Sequence, residues 1–519
     1  MDTQLLKSLA DTQEWMLLGP EIALAAGALA LLLVEAFLPA RLRVWTFRLG
    51  LILNLGVLAW VFISTQYTPC PVNSTMEAHT AFGGLIGTSL FANQFRVIFL
   101  LGNTLFFWVA SNYLRNRKLP ASELAILSTL VTAAMMLLVH SQHFATLFVA
   151  LETVTIGLYA MVSYARLSRF SLEAGIKYLI LGGTSTAVLL FGIGLLYGAG
   201  GNSAFNGSVS DPLQFSQLSA FLDLNQGNAI ARLGVLMVLA SVAFKIGLVP
   251  FQIWIPDVYQ GAPTPVTAFL AVSSKAAGLG VLLILVKASG PFEPMRGFLT
   301  PILTVVTLIT LVYGNLVALA YTNVKRLLGM SGISHAGFLM IGVLVLMSEE
   351  GVMWISGALT FYLLVYLVGS YAVFGVMSVL NPAADEDQDL YDYTHLSEKR
   401  PGLAAMIAMG LGSMAGIPPL GGFVAKAAVF IAAWYSGMFT LVFVGLACVV
   451  VSIYYYFKWI REAYYSDPMP DYEGEEAPQG ERSFPGARLG DKGVFILLGA
   501  ALLILGLMPG NLISLLSSF

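Results

Sequence analysis

The chain is predicted to be an all-α polytopic membrane protein with about 14 transmembrane helices, and three observations support this. Of its 519 residues, 57% are hydrophobic and only 11% are charged, whereas a soluble domain carries about 25% charged residues. The apolar residues form runs of about 20, the length that a helix needs to cross a bilayer. Two of these runs contain clustered prolines and glycines, which predicts helices that are interrupted inside the membrane.

The apolar runs, which we number as spans 1–14, also predict the topology. They lie near residues 18–38, 46–65, 94–112, 122–139, 143–165, 172–198, 231–250, 264–287, 299–322, 325–347, 351–380, 401–436, 438–464 and 492–516. An even number of spans places both termini on one side, the terminal side. The loops on the other side, the basic side, carry most of the basic residues, such as Arg48, Arg115 and Arg166. Cytoplasmic loops are enriched in basic residues, so both termini are predicted to be exoplasmic, that is, lumenal.

Spans 7 and 12 are predicted to be discontinuous helices. Pro250 interrupts the first, and Pro418 and Pro419 interrupt the second, because proline removes a backbone hydrogen bond. Such breaks are tolerated where the backbone is buried in protein or lines a wet cavity, although a packing kink would explain either one alone. The breaks lie five spans apart, and a five-helix unit repeated in tandem inserts upside down the second time. Spans 4–8 and 9–13 are therefore predicted to be inverted repeats, typical of transporters.

This pattern divides the chain into four predicted segments. They are an N-terminal three-helix segment at residues 1–115, a first five-helix repeat at 116–290, a second at 291–465, and a cytoplasmic loop with the last transmembrane helix at 466–519.

The composition also excludes several classes of function. The chain has two cysteines, too few for a cysteine-ligated cluster, and it has neither a Walker loop nor a dinucleotide-binding glycine motif. No cofactor or metal is therefore expected on this chain. The net charge of −3 argues against a nucleic-acid partner.

Five ionisable residues lie deep inside the apolar runs. They are Glu152 in span 5, Lys245 in span 7, Lys275 in span 8, His335 in span 10 and Lys426 in span 12. A charged side chain at the bilayer centre costs roughly 3 kcal/mol, so such residues indicate a functional site. Lys245 adjoins the first predicted break and Lys426 the second. The pattern predicts a proton relay through the membrane.

Each member of the relay has a predicted role. Glu152 is expected to pair with Lys245, because opposite charges within about 4–6 Å hold each other ionised, and a pair that can open would act as a switch. Lys275 is expected to take the proton next, followed by His335, whose ordinary pKa of about 6.5 suits a relay. Lys426 would exchange protons with one surface. Alternatives remain open: Glu152 hydrogen-bonded to Thr153 or Thr155, and His335 as a structural histidine hydrogen-bonded to Ser331 or Ser334.

Five other polar features receive simpler interpretations. Glu21 and Arg96 lie near span ends, where an interfacial position explains them. His140, before span 5, is expected to be a solvated turn residue, with proton entry or exit as the alternative. The acidic run at 385–392 is expected to be a solvated face. The aromatic cluster at 454–459 is expected to form an interfacial belt.

Three motifs resemble a known family. They read FKIGLVPFQIWIPDVYQGAPTPVTAFLAVSSKAAGL (244–279), VKRLLGMSGISHAGF (324–338) and AGIPPLGGFVAK (415–426). These motifs are similar to those of the antiporter-like proton-translocating subunits of respiratory complex I and its relatives. Together with ALETVTIGLYAMVSY and SLEAGIKYLILGG, they look closest to subunit 2 in the cyanobacterial and plastid version, the NDH-1 complex.

The resemblance implies a function and a set of partners. The chain would be a non-redox, proton-translocating subunit of an NAD(P)H- or ferredoxin-dependent plastoquinone oxidoreductase in a thylakoid membrane. NAD(P)H or ferredoxin, the iron–sulfur clusters and plastoquinone would bind elsewhere in the complex. Its partners would be other membrane subunits, homologous antiporter-like ones among them, and lipids. The resemblance also implies that the five ionisable residues form the central hydrophilic axis of such subunits. Two other functions stay open: a subunit of a multisubunit sodium/proton antiporter, and an inactive structural scaffold.

Overall fold

The computed structural model describes residues 12–39, 44–67, 79–117, 119–348, 352, 354–380, 385–465, 485–510 and 516. Within these ranges, 13 helices are long and apolar enough to cross a membrane, and two shorter apolar helices make up span 12. The predicted all-α polytopic fold is thus confirmed. Most of the predicted cytoplasmic loop, 466–484, lies outside the described residues.

The spans are bounded as follows. They are Gly19–Phe37, Val44–Tyr67, Leu90–Tyr113, Ala121–Val139, Phe144–Val162, Arg169–Gly200, Ala229–Ile246 with Ile255–Gly261, Thr264–Val286, Arg296–Ala318, Val324–Met347, Ile355–Leu380, Pro401–Ala415 with Gly421–Tyr435, Phe439–Tyr464 and Leu489–Leu507. Short helices in the connections are Thr12–Leu17, Phe82–Gly84, Leu114–Asn116, Phe215–Leu224, Glu293–Met295, Asp385–Asp387, Leu390–Tyr393 and Leu396–Lys399. One antiparallel hairpin pairs His79–Ala81 with Ile86–Thr88.

Several spans begin at a polar capping residue. Ser89, Ser168, Asn228 and Asn323 precede spans 3, 6, 7 and 10, and each side chain accepts a hydrogen bond from an amide of the first turn. Such caps satisfy amides that have no partner inside the helix. They fix where these helices start at each side of the membrane.

Spans 8, 10 and 11 form the centre of the molecule. The apolar central stretches of these helices are 100%, 94% and 89% buried, against 33% for span 6 and 28% for span 14. Lys275 and His335 belong to two of the three central helices, so both lie in the interior of the protein rather than against lipid.

Both discontinuous helices are confirmed, and their breaks share one geometry. The first half of span 7 ends before Gly247 (φ +85°), and the first half of span 12 ends before Gly416 (φ +87°). Glycine adopts this left-handed conformation without steric cost. In both breaks the amide of the residue after the glycine donates to the carbonyl of the residue four positions before the glycine: Leu248 to Ala243 at 2.9 Å, and Ile417 to Gly412 at 3.0 Å. Pro250 and Pro419 each lie three residues beyond their glycine. The exact four-segment division of the chain stays a prediction.

Span 8 contains an irregularity that the sequence did not predict. Leu270–Ser274 forms a π-helical turn between two α-helical stretches, and Lys275 follows it directly. π-Turns are rare and often occur at functional sites.

Candidate functional site: a buried polar pathway

Lys245 is held between span 5 and the first break. Its side chain is 7% exposed, and Nζ donates to Thr155 Oγ1 at 2.8 Å. It lies in the last turn of its half-helix, where the helix dipole favours a positive charge. Span 8 packs against it, because a Cβ added to Gly278 would lie 3.5 Å from the Lys245 carbonyl carbon. The site can therefore hold an ammonium group inside the membrane.

Glu152 lies three residues before Thr155 on span 5 and is only partly buried. Its carboxylate accepts a hydrogen bond from Thr186 Oγ1 of span 6 at 2.6 Å. The two side chains form no ion pair within 4.0 Å, although the carboxylate acts on the Lys245 ammonium through space. Glu152 is thus near Lys245 without touching it. The hydroxyls of Thr153 and Thr155 donate to the carbonyls of Val149 and Leu151, not to the Glu152 carboxylate.

Lys275 contacts the backbone of span 10. Its side chain is 3% exposed, and Nζ donates to the carbonyl oxygen of Gly332. A Cβ at Gly332 would lie 2.7 Å from Nζ and 3.3 Å from the Tyr366 hydroxyl, so glycine leaves the room that the lysine occupies. Gly332 is three residues before His335, which places Lys275 one helical turn from the histidine.

His335 is enclosed by tyrosine hydroxyls. Nδ1 lies 2.8 Å from the Tyr362 hydroxyl and Nε2 lies 3.2 Å from the Tyr456 hydroxyl. A hydroxyl can donate or accept, so either ring nitrogen can carry the proton. Neither serine suggested as its partner bonds to the ring: Ser331 donates to the Leu328 carbonyl at 3.1 Å, and Ser334 accepts a hydrogen bond from Asn315 at 2.7 Å.

The aromatic cluster at 454–459 is not an interfacial belt, as had been expected. Tyr455, Tyr456 and Trp459 are at most 1% exposed, whereas Tyr454 and Phe457 face outward, at 67% and 47% exposure. Helical periodicity separates these positions, because residues three or four apart share a face. The inner face therefore supplies a hydroxyl to His335.

Lys426 reaches back across the second break. Its Nζ donates to the carbonyl of Ala415, the last residue of the first half of span 12, at 3.0 Å. The ammonium also lies 4.8 Å from the ring centre of Phe338. A cavity of about 10 Å³, lined by Lys426, His335 and Ser413 among others, has room for about one water molecule. The histidine and the lysine therefore line the same small cavity.

The two breaks place different residues at matching positions. Lys426 is ten residues after Gly416, and Asp257 is ten residues after Gly247. Asp257 accepts hydrogen bonds from Lys177 at 2.6 Å and Arg326 at 2.8 Å. The second half of span 7 thus carries an acid in an ion-pair network where span 12 carries a buried lysine.

A buried ion pair on the basic side was missed. Lys325 Nζ lies 2.6 Å from Asp385 Oδ2, and the side chains are 0% and 5% exposed. The expectation that the 385–392 run is a solvated face is therefore wrong for Asp385. Asp385 is the first residue of this run after span 11. It also accepts hydrogen bonds from Thr264 and Gln388, and these two residues shield it from solvent.

A second buried cluster lies on the terminal side. Arg96 donates to both carboxylate oxygens of Glu21, at 2.7 and 2.8 Å. His140 is 0% exposed, with Nδ1 3.0 Å from the Gly87 carbonyl and Nε2 3.7 Å from Glu21. Burial, and next the Arg96 guanidinium, lowers the pKa of His140 well below its ordinary value. The interfacial and solvated-turn expectations for these residues are wrong.

Comparisons with known proteins place the chain in a family. Residues 141–452, which include the five ionisable positions, match the family model described as NADH:quinone oxidoreductase/Mrp antiporter, TM. The chain is 46% identical over 490 residues to NADH-quinone oxidoreductase subunit N 1 of Opitutus terrae, covering 94% of this chain and 95% of the relative. The chain belongs to the subunit N family.

Chains of solved membrane complexes share the fold. A chain of respiratory complex I from Thermus thermophilus with bound aureothin is 28% identical, with a TM-score of 0.75 and coverage of 96% of this chain and 99% of that one. A chain of the Mrp complex from Dietzia sp. DQ12-45-1b has a TM-score of 0.75 at 20% identity, covering 96% of each chain, which shows a common fold alone. The expected antiporter-like complex I subunit is confirmed; its assignment to the cyanobacterial and plastid version stays a prediction.

Among the residues that the structure describes, no group of three or more His, Cys, Asp or Glu side chains could hold a metal ion. The polar side chains of the pathway are lysines, hydroxyls, one imidazole and the Glu152 carboxylate, which are types of group that can exchange protons.

Proposed function

We propose that this subunit N family member is a non-redox subunit that moves protons across the membrane within an NADH-quinone oxidoreductase. The relay would consist of Glu152, Lys245, Lys275, His335 and Lys426. One observation supports this most strongly: each of these side chains, although inside the membrane, contacts a polar atom contributed by another span or by the other half of its own broken helix.

The Glu152–Lys245 pair would act as the switch. In the described conformation Thr155 holds Lys245 while the carboxylate stays out of contact. Approach of Glu152 would favour the protonated lysine, and withdrawal would favour its release of a proton. A cavity of about 220 Å³ beside the first break is lined by Ser185 and Ser241 among mainly apolar side chains. Ser241 lies one turn before Lys245, so water entering this cavity would lie near the switch.

The onward path would run through the central helices. A proton released from Lys245 would pass to Lys275, then by the Gly332 turn to His335, whose two ring nitrogens both face hydroxyls. His335 and Lys426 share a cavity the size of one water molecule, which would complete the transfer to the second break.

The relatives guide the choice of electron donor and partners. Two of those named above belong to NADH-quinone oxidoreductase and to respiratory complex I, so we propose NADH and a quinone as substrates of the whole assembly, bound by other subunits. Homologous antiporter-like membrane subunits would be neighbours. The narrower proposal is an NAD(P)H- or ferredoxin-dependent plastoquinone oxidoreductase of a thylakoid membrane, with both termini lumenal. The donor that the purified native complex oxidises distinguishes the two.

The relay is tested by Lys245→Ala in the assembled complex, with Lys492→Ala as the control because Lys492 is an exposed lysine at the start of span 14. We expect Lys245→Ala to lower the number of protons moved per electron transferred to quinone, and Lys492→Ala to leave it unchanged. Glu152→Ala should act like Lys245→Ala. An unchanged ratio in both relay variants would reject the proposal and favour an inactive scaffold.

A sodium/proton antiporter subunit is the second candidate, because the matching family model covers Mrp antiporters as well. In sealed vesicles that contain the native assembly, an antiporter would dissipate an imposed pH gradient on addition of sodium, without quinone or reductant. A proton-pumping oxidoreductase subunit requires electron transfer.

A further inference from the structure

The second half of span 7 is fastened to span 10 at the basic side. Asp257 on this half-helix bonds Arg326 in the first turn of span 10 at 2.8 Å, and Gln260 accepts from Arg326 Nε at 2.5 Å. The Asp257 and Arg326 side chains are 35% and 30% exposed, so solvent weakens this contact. It forms the outer layer of the junction.

The inner layer is the buried Lys325–Asp385 pair. Lys325 donates to Asp385 at 2.6 Å and to the Ala262 carbonyl at 2.9 Å. Asp385 also accepts from the Thr264 amide at 3.0 Å, the Thr264 hydroxyl at 2.5 Å and Gln388 at 2.8 Å. The charges that face this pair from neighbouring elements are Arg117 and Glu386.

The pair joins the starts of two relay helices. Thr264 is the first residue of span 8, eleven residues before Lys275, which is about 16 Å along a helix. Lys325 is ten residues before His335 on span 10, or about 15 Å. Both helices therefore begin at one buried node and run side by side to the same depth, where Lys275 meets the Gly332 carbonyl.

A buried ion pair is seldom there for stability alone. Its desolvation cost offsets most of the attraction, and apolar residues of similar volume often stabilise a protein as well or better. What such a pair can supply is a unique alignment, because a slip of either helix would leave a buried charge without its partner.

We propose that Lys325 and Asp385 are positioning residues for the proton relay: their pair fixes the register of span 8 against span 10 and so keeps Lys275 within one turn of His335. No proton passes through the pair itself. The inference rests on the proposed function, since it assigns a role only if Lys275 and His335 carry protons.

The test compares variants in the assembled complex, measuring quinone reduction and protons moved per electron. Asp385→Asn should leave the rate of quinone reduction intact while the number of protons moved per electron falls about tenfold, since a misplacement of about 1 Å can slow a transfer step by more than that. Asp257→Asn is the matched control from the outer layer and should pump like the parent.

A double variant, Lys325→Met with Asp385→Leu, covers the case in which Asp385→Asn does not assemble. Removing both charges leaves none buried alone, so assembly should recover, while pumping should stay low because the alignment is lost. If the assembled double variant or Asp385→Asn pumps at the parental ratio, the pair is merely structural and the inference fails. Lys275→Ala, measured alongside, separates the two proposals: normal pumping there overturns the relay itself.

Discussion

The buried ion pair between Arg96 of span 3 and Glu21 of span 1 permits a test of what holds these two helices together. Arg96, on span 3, donates to both oxygens of Glu21 on span 1, to Asn93 Oδ1 at 2.6 Å and to the Leu17 carbonyl at 2.7 Å. Arg96→Met keeps most of the side-chain length but removes all four hydrogen bonds. It leaves the Glu21 carboxylate, 5% exposed, without its counter-charge.

The expected loss of stability in Arg96→Met follows from the burial of the ion pair. Removing one partner of a buried ion pair destabilises by about 3–5 kcal/mol, which corresponds to a change of at least 100-fold in the local folding equilibrium. The control is Arg166→Met, because Arg166 pairs with Glu123 at the same 2.7 Å while their side chains are 68% and 41% exposed. An exposed pair contributes only about 0–1 kcal/mol.

Hydrogen exchange of the assembled complex measures the effect directly. Span 1 amides should exchange much faster in Arg96→Met than in the parent or in Arg166→Met. The double variant Glu21→Leu with Arg96→Met should recover much of the protection, since it leaves no lone charge. Equal exchange in Arg96→Met and Arg166→Met would refute the reasoning that burial sets the cost.

Three further predictions concern single positions. Because the pKa of His140 is lowered in the folded state, the unfolded chain takes up the proton first, so stability should fall as pH drops below about 6.5; His140→Asn should flatten that dependence in thermal denaturation, and an unchanged slope would contradict it. Gly422→Ala would place a Cβ 1.7 Å from a backbone carbonyl oxygen of span 12 and should destabilise by about 1–3 kcal/mol, whereas Gly194→Ala, which meets nothing within 4 Å, should not; equal denaturation temperatures would count against the clash. Thr155→Val removes the hydroxyl that binds Lys245 and should slow proton transfer without impairing assembly; a parental rate would mean that this hydrogen bond is dispensable.

The fold was largely predictable because the bilayer restricts it. Long apolar runs can only be helices there, and the prolines at 250, 418 and 419 mark the breaks in them. The five buried ionisable residues were equally visible, since any charge in such a run is conspicuous. These features depend on local sequence alone.

The contacts between spans could not be read in the same way. Glu152 and Lys245 attract each other, yet the sequence does not contain their distance, and threonines from two spans take the hydrogen bonds instead. Asp385 differs from the prediction because an acidic run at a helix end is usually solvated, whereas Lys325, Thr264 and Gln388 pack around this carboxylate and make it an interior group. Tyr456 differs from the predicted interfacial position because helical periodicity places it on the buried face of span 13, away from the exposed Tyr454.

The shared turn at Gly247 and Gly416, followed ten residues later by Asp257 in one case and Lys426 in the other, has a mechanical consequence. Asp257 forms ion pairs with Lys177 of span 6 and Arg326 of span 10, so its half-helix is anchored to two neighbouring spans. Lys426 donates one hydrogen bond, to the Ala415 carbonyl, and borders a small cavity, so its side chain has room to change position. The two breaks thus share one turn geometry but differ in how the following half-helix is held, and displacement during turnover is expected to be larger around Lys426 than around Asp257.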